Sequence, residues 1–115
     1  MRAAYGAVKS AVNMLSASLR VELRATHPGI QVTVVMPGVV ATEFGVNSIN
    51  ATMDNRKLPG AQSVEEAAKA IVDVIENPRP EAYTSAFIAE AIGRYQREPE
   101  AVEAEIALRA ARPHP

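Results

Sequence analysis

The 115-residue sequence has no cysteine. That excludes disulfides, thiolate catalysis and cysteine-built zinc sites, and it fits a reducing compartment. There is no excess of either charge: 12 basic residues against 13 acidic ones leave a formal charge of -1. Such a balance gives no electrostatic footprint for nucleic acid or an anionic membrane. No run approaches the roughly 18 continuous apolar residues of a membrane span. The opening Met1-Arg2-Ala3-Ala4-Tyr5 lacks the apolar stretch and cleavage pattern of a signal peptide. Internal repeats and low-complexity segments are missing too. What is present, 48% hydrophobic and 22% charged residues, is the make-up of one globular domain. A cytoplasmic protein without nucleic-acid or membrane partners is expected.

Residues 5–26 read as a helix, because Val8, Val12, Leu15, Leu19 and Leu23 recur every three or four positions and form one apolar stripe. His27-Pro28-Gly29 stops it. Ile30–Met36 is short, β-branched and nearly all apolar, so it predicts a strand covered on both faces and ended by Pro37-Gly38. Residues 43–62 lack periodicity and predict a long loop of the kind that is usually functional or mobile. Ser63 and Glu66 have capping-box spacing at the head of a second helix. Its expected buried stripe is Val64, Ala67, Ala68, Ile71 and Ile75, and Asn77-Pro78 closes it. A second short strand is expected over Ala82–Ser85. Helix follows to about Arg112 with a break near Pro99, and Arg112–Pro115 is expected to fray. The order helix, strand, loop, helix, strand, helix predicts an α/β architecture with parallel strands.

A strand as apolar as Ile30–Met36 belongs inside a sheet, yet only one other strand candidate exists. Two strands alone leave an apolar edge open and one side of the first helix uncovered. Further chain upstream of Met1 is the simplest remedy. An oligomeric partner covering the edge is the alternative.

Tyr5 and Lys9 stand at i and i+4 on the first helix and so share a face. A free phenol titrates near about 10, and a neighbouring ammonium stabilises the phenolate, which suits proton transfer. The pair alone is a weak signal, since a packed Tyr and a solvated Lys often occur at this spacing. Its context is more specific. The stretch YGAVKSAVNMLSASLRVELRATHPGIQVTVVMPGVVATEF, residues 5–44, joins Tyr-x-x-x-Lys to Pro-Gly-x-x-x-Thr across the apolar strand. In this it resembles the short-chain dehydrogenase/reductase family, and the pattern continues over nearly the whole chain. The resemblance implies an NAD(P)-dependent oxidoreductase acting on an alcohol or ketone, usually a homo-oligomer. Tyr5 would be the general acid/base. Lys9 would bind the nicotinamide ribose and stabilise the Tyr5 phenolate. Pro37, Gly38, Val40 and Thr42 would lie along the nicotinamide, Val40 through its backbone and Thr42 through its hydroxyl. The loop 43–62 would cover the substrate, with Phe44, Val46, Ile49, Met53 and Leu58 lining a pocket or else pinning the loop to the core. Residues 1–115 would form part of a dinucleotide-binding domain, namely the C-terminal half of a Rossmann-type doubly wound parallel sheet. Residues 89–115 would be a C-terminal helical extension.

The sequence departs from the family pattern in what it lacks. No strand-Gly-helix unit offers backbone amides to a pyrophosphate. The family's catalytic serine and structural asparagines, and the residue choosing NAD or NADP, would all precede Met1. Ser10 and Asn13 lie on the wrong side of Tyr5 to replace them. His27 and His114 have no partner at metal-ligand spacing and are expected to face solvent. The cluster Glu98, Glu100, Glu103 and Glu105 is expected to be a solvated helix face. Two readings therefore stand: part of an oxidoreductase, or a non-catalytic dimerisation module or decayed gene product descended from one. Negligible dehydrogenase activity, and weak or no binding of NAD or NADP, are expected of the 115 residues by themselves. Detectable turnover of an alcohol or ketone with NAD(P)(H) by the purified chain would refute that.

Overall fold

The computed structural model describes residues 2–48 and 53–111. They fall into two compact units, one ending at Thr84 and one beginning at Ser85. The first unit opens with helix α1, Arg2–Thr26, three residues earlier than expected. No glycine or proline interrupts Ala7–Thr26, so nothing in that stretch weakens the helical ladder. The expected stop is found. His27 donates its backbone N–H to Leu23 O at 2.7 Å, and Ile30 donates to His27 O at 3.0 Å.

Two three-residue strands follow, β1 (Val34–Met36) and β2 (Glu81–Tyr83). They pair in parallel, with Val34 opposite Glu81, Val35 opposite Ala82 and Met36 opposite Tyr83. The expectation of a strand over Ile30–Met36 is corrected to these three residues, and Ala82–Ser85 is corrected to Glu81–Tyr83. The physical reason lies in the partner. Val34 N–H reaches Pro80 O at 3.1 Å, but Pro80 has no N–H to extend the ladder backwards. Residues 30–33 are held instead by side chains: Arg20 Nη1 donates to Val32 O at 3.0 Å and Thr33 Oγ1 donates to Arg79 O at 2.6 Å. Nor is β1 an interior strand among the described residues. It is half-buried along its length and hydrogen-bonded only to β2.

Helix α2, Val64–Glu76, connects the strands. The capping box is present as expected. Glu66 N–H donates to Ser63 Oγ at 3.1 Å, and Ser63 N–H donates to Glu66 Oε2 at 2.9 Å. Asn77 closes the helix, its N–H bonded to Asp73 O. The expected buried stripe is corrected: Ala67 and Val74 are buried, whereas Val64, Ala68, Ile71 and Ile75 are exposed. Ala67 and Val74 stand two turns apart on one face, and Ala82 on β2, 3% exposed, is buried as well. On α1 the stripe Val8, Val12, Leu15 and Leu19 is likewise exposed. The half-buried side chains there are Ser16, Ala17, Arg20 and Leu23. The helix docks by polar contacts on a face turned away from its most apolar line.

The second unit pairs α3 (Ala86–Arg97), capped by Ser85, with α4 (Pro99–Ala110), which has proline in its first turn. The break near Pro99 is found. The acidic cluster does more than face solvent. Arg94 forms a two-pronged ion pair with Glu105 and a longer one with Glu98 at 3.7 Å, and Tyr95 donates its hydroxyl to Glu103 at 2.8 Å. Arg94 holds the Glu105 carboxyl below its usual range, and the Glu103 carboxylate raises the Tyr95 phenol. The fraying expected for Arg112–Pro115, and the position of His114, lie outside the described residues.

The Ser63 cap can be tested directly. Ser63→Ala should lower unfolding stability by about 1 kcal/mol and speed hydrogen exchange at the Glu66 amide, whereas Ser63→Thr should preserve both. The backbone N–H of Ser63, and then its hydroxyl, hold the Glu66 carboxyl below its ordinary value. The cap is therefore complete above about pH 4.3 and should weaken as pH falls through the depressed folded value. Exchange at Glu66 across that range measures it.

Candidate functional site

Two side-chain contacts set the direction of α1. Arg20 Nη1 donates to Val32 O, before β1, and to Pro80 O, before β2, both at 3.0 Å. Seven residues earlier, Asn13 Nδ2 donates to Met36 Sδ, the last residue of β1, at 3.8 Å. Moving from Arg20 to Asn13 along the helix thus moves from the start of β1 to its end, and α1 runs antiparallel to the strand. Lys9 and Tyr5 lie one and two turns further on, about 6 and 12 Å beyond Asn13 at 1.5 Å per residue. That is past the carboxyl end of β1, where open α/β sheets hold their ligands. At about 100° per residue, Tyr5 and Lys9 also fall on the same arc as Ser16 and Arg20, the side facing the sheet. Tyr5 is 57% exposed, and the Lys9 ammonium sits 5.5 Å from its ring centroid. This is a cation–π contact worth about 0.5–1 kcal/mol at an exposed position. Lys9 makes no ion pair among the described residues.

Beyond β1, Pro37 is exposed and Gly38, Val40, Ala41 and Thr42 are half-buried. Val40 forms an isolated parallel bridge with Gln62. Gln62 supplies both bonds, donating to Val39 O and accepting from Ala41 N–H, each at 2.8 Å. In such a bridge the N–H and C=O of Val40 point to the opposite edge. The carbonyl accepts from Thr42 N–H at 2.8 Å. Among the described residues the Thr42 hydroxyl has two contacts, to Val40 O and from Phe44 N–H, both 3.4 Å and therefore weak. One peptide N–H and one hydroxyl are thus left facing outward after the strand.

The loop that follows closes on itself. Arg56 meets Asp54 through Nε at 2.9 Å and Nη2 at 3.0 Å, and meets Glu43 through Nη1 at 3.0 Å. Asp54 also caps a 3-10 turn over Asn55–Lys57. Gly45 lies so close to this turn that a Cβ would stand 2.3 Å from Met53 O and 2.6 Å from Asn55 Oδ1. Of the loop's apolar residues, Phe44, Val46 and Met53 are exposed, Phe44 by 65%, so they pin nothing to the core. Leu58 is half-buried, and Ile49 lies outside the described residues. A groove of about 390 Å³ lies elsewhere, between α3 and α4 in the second unit, and contains none of these groups. His27 is exposed, with Nδ1 3.0 Å from Thr26 Oγ1. Among the described residues no three His, Asp or Glu side chains gather at metal-binding distance, and no helix is long and apolar enough to cross a membrane.

Residues 1–53 match the family model described as short chain dehydrogenase. That stretch, a little under half of the chain, is similar to the short-chain dehydrogenase family. The match takes in α1 with Tyr5 and Lys9, β1, and the Pro37–Thr42 segment, and it ends inside the loop. It is narrower than the resemblance read along nearly the whole chain. No curated protein and no solved structure matches the chain. Sequence reading did not find Arg20, Gln62, Arg56 or Thr84, polar groups that fix α1 and the segments after β1. None belongs to a motif, and each acts through contacts that local pattern does not reveal.

The loop closure yields a prediction. Gly45→Ala should displace the Met53–Asn55 backbone, seen as large amide shifts at residues 53–57 with the far-UV helical signal unchanged. Arg56 holds the Asp54 carboxyl below the usual range, so the turn is complete above about pH 4. It should open as pH falls through the depressed value, read as lost exchange protection at Arg56 N–H, which donates to Asp54 Oδ1 at 3.0 Å.

Proposed function

We propose that this chain is the nicotinamide- and substrate-facing half of an NAD(P)-dependent oxidoreductase that interconverts an alcohol and a ketone in the cytoplasm. The observation that carries the reading is the Tyr5–Lys9 pair, one and two turns beyond the contact between Asn13 and the end of β1. The match of residues 1–53 to the short-chain dehydrogenase family supports it. The donor set suits a nicotinamide nucleotide: an outward Val40 N–H and a loosely held Thr42 hydroxyl for a carboxamide, and, for a ribose diol, a Lys9 ammonium with no ion pair among the described residues. When bound, the nicotinamide supplies or accepts the hydride. In the reducing direction the Tyr5 hydroxyl gives its proton to the oxygen of the carbonyl that becomes the alcohol, and in the oxidising direction it takes that proton back. Lys9 holds the ribose and stabilises the phenolate.

In this proposal the chain is the C-terminal half of a Rossmann-type sheet, and further chain supplies the phosphate-binding unit and the other strands. The shallow burial supports it. Among the described residues only Ala67, Val74, Ala82 and Thr84 are buried, while Val8, Leu15 and Val21 on α1 are exposed. One domain of this length ordinarily hides about two thirds of its unfolded surface. A second reading, an interaction module that pairs with its own copy, rests on the second apolar strip of α1, Met14 and Val21, which is also exposed.

An in-frame stretch of about 130–150 codons before the Met1 codon, containing a strand–Gly-rich turn–helix unit, is expected from the usual domain size. An immediate stop codon there counts against the enzyme reading. In the extended protein, Tyr5→Phe should lower kcat/KM about 10²–10⁴-fold and Lys9→Met should raise KM for the nucleotide. Turnover unchanged by Tyr5→Phe overturns the assignment. Sedimentation of the chain as a folded dimer that binds no nicotinamide nucleotide favours the module.

A further inference from the structure

The β1–β2 ladder has period two: Val34 N–H meets Pro80 O, and Met36 stands opposite Tyr83. Continued in register, Gly38 N–H would come next to the carbonyl of Thr84. The chain turns away at Pro37-Gly38 instead, and the Gln62 side chain takes that place. Its Nε2 donates to Thr84 O at 2.6 Å, and its Oε1 accepts from Thr84 Oγ1 at 2.6 Å. Thr84 is one of four buried residues among the described residues, 8% exposed, and its hydroxyl and carbonyl are satisfied by this two-point contact. Main-chain bonds from Gln62 then bracket Val40 on either side. A continuous set of hydrogen bonds therefore runs from the end of β2, through Thr84 and Gln62, to the Val40 peptide.

We infer that Gln62 and Thr84 are positioning residues for the nicotinamide carboxamide: they fix the direction of the Val40 N–H after β1 has left the sheet. The inference rests on the oxidoreductase reading, in which Val40 meets the carboxamide. Removing the Gln62–Thr84 contact leaves the Gln62 main chain free to rotate, and a misdirected N–H costs the carboxamide one hydrogen bond without touching Lys9 or Tyr5.

The test uses the chain itself and nicotinamide mononucleotide, which carries the nicotinamide and ribose without the rest of the dinucleotide. Titration is followed by amide chemical shifts. The unsubstituted chain should show saturable shifts at Val40 and Thr42, with a dissociation constant on the order of millimolar for so small a ligand. Thr84→Val, which keeps the shape and removes the hydroxyl, should weaken binding about fivefold, the worth of one ordinary hydrogen bond. Thr84→Ser should restore it. Thermal midpoints measured alongside separate the roles, since a purely structural contact lowers the midpoint and leaves the affinity of the folded protein unchanged. Equal affinity in Thr84→Val and the unsubstituted chain overturns the positioning role and leaves the oxidoreductase reading intact. No saturable shift in the unsubstituted chain overturns the inference, because the Val40 N–H then reads no carboxamide in this chain.

Discussion

Arg20 joins α1 to the beginnings of both strands. Its guanidinium reaches the carbonyls of Val32 and Pro80, two acceptors that the sheet leaves partly unused, because Pro80 brings no N–H of its own to the ladder. Charged donors make stronger hydrogen bonds than neutral ones, and one side chain bonding both strands fixes their separation as well as the helix. With the Asn13–Met36 contact as a second point, α1 has a defined direction and a defined face. The placement of Tyr5 and Lys9 past the end of β1 follows from those two contacts and the rise of a helix. The Tyr5 phenol, exposed near the start of the helix, has little packing to hold it. Its geometry is inherited from polar contacts about two to four turns away.

Much of the architecture was legible in local sequence. Pro28-Gly29, the Ser63–Glu66 box, Asn77-Pro78 and Pro99 each act on their own backbone within a few residues, so their effects do not depend on distant parts of the chain. The alternation of helix and strand, and so the parallel pairing, followed from period and length. The two motifs that compose the candidate site were legible for the same reason, each being a short run with its own geometry. What was not legible was which face each helix turns inward. The period of Val8, Val12, Leu15 and Leu19 marks the most apolar line of α1, but the docking face is set by Arg20 and Asn13 bonding to carbonyl and sulfur acceptors of β1 and Pro80. On α2, small Ala67 and the adjacent Val74 are buried, and bulkier Ile71 and Ile75 stay outside. Hydrophobic period identifies a stripe that needs cover. It does not say which element covers it.

Those unclaimed stripes bear on the strands as well. β1 is apolar enough for the middle of a sheet, yet it is half-buried and has one hydrogen-bonded neighbour among the described residues. An apolar strand with an open edge invites pairing, and so does an apolar line along α1. The composition of these elements is thus matched to more surroundings than the described residues supply. A partial parallel sheet accounts for β1 and α1 together, whereas a self-paired helix accounts for α1 alone. That difference in reach is why the oxidoreductase reading is preferred over the interaction module.

The Gln62–Thr84 contact shows how the Pro37–Thr42 segment can leave a sheet without losing its orientation. A strand that turned off at Pro37-Gly38 with nothing in its place would leave the Thr84 carbonyl buried and unpaired, at a cost of about 1–3 kcal/mol. It would also leave the next peptides free to rotate. Gln62 removes both problems, because a primary amide offers a donor and an acceptor at one point. Its side chain replaces the missing ladder partner of β2 and its main chain supplies one to Val39–Ala41. The loop-borne residue thereby becomes the edge against which Val40 is set. A peptide fixed on one edge has its remaining N–H fixed on the other, and that opposite edge is where a ligand carboxamide can be read.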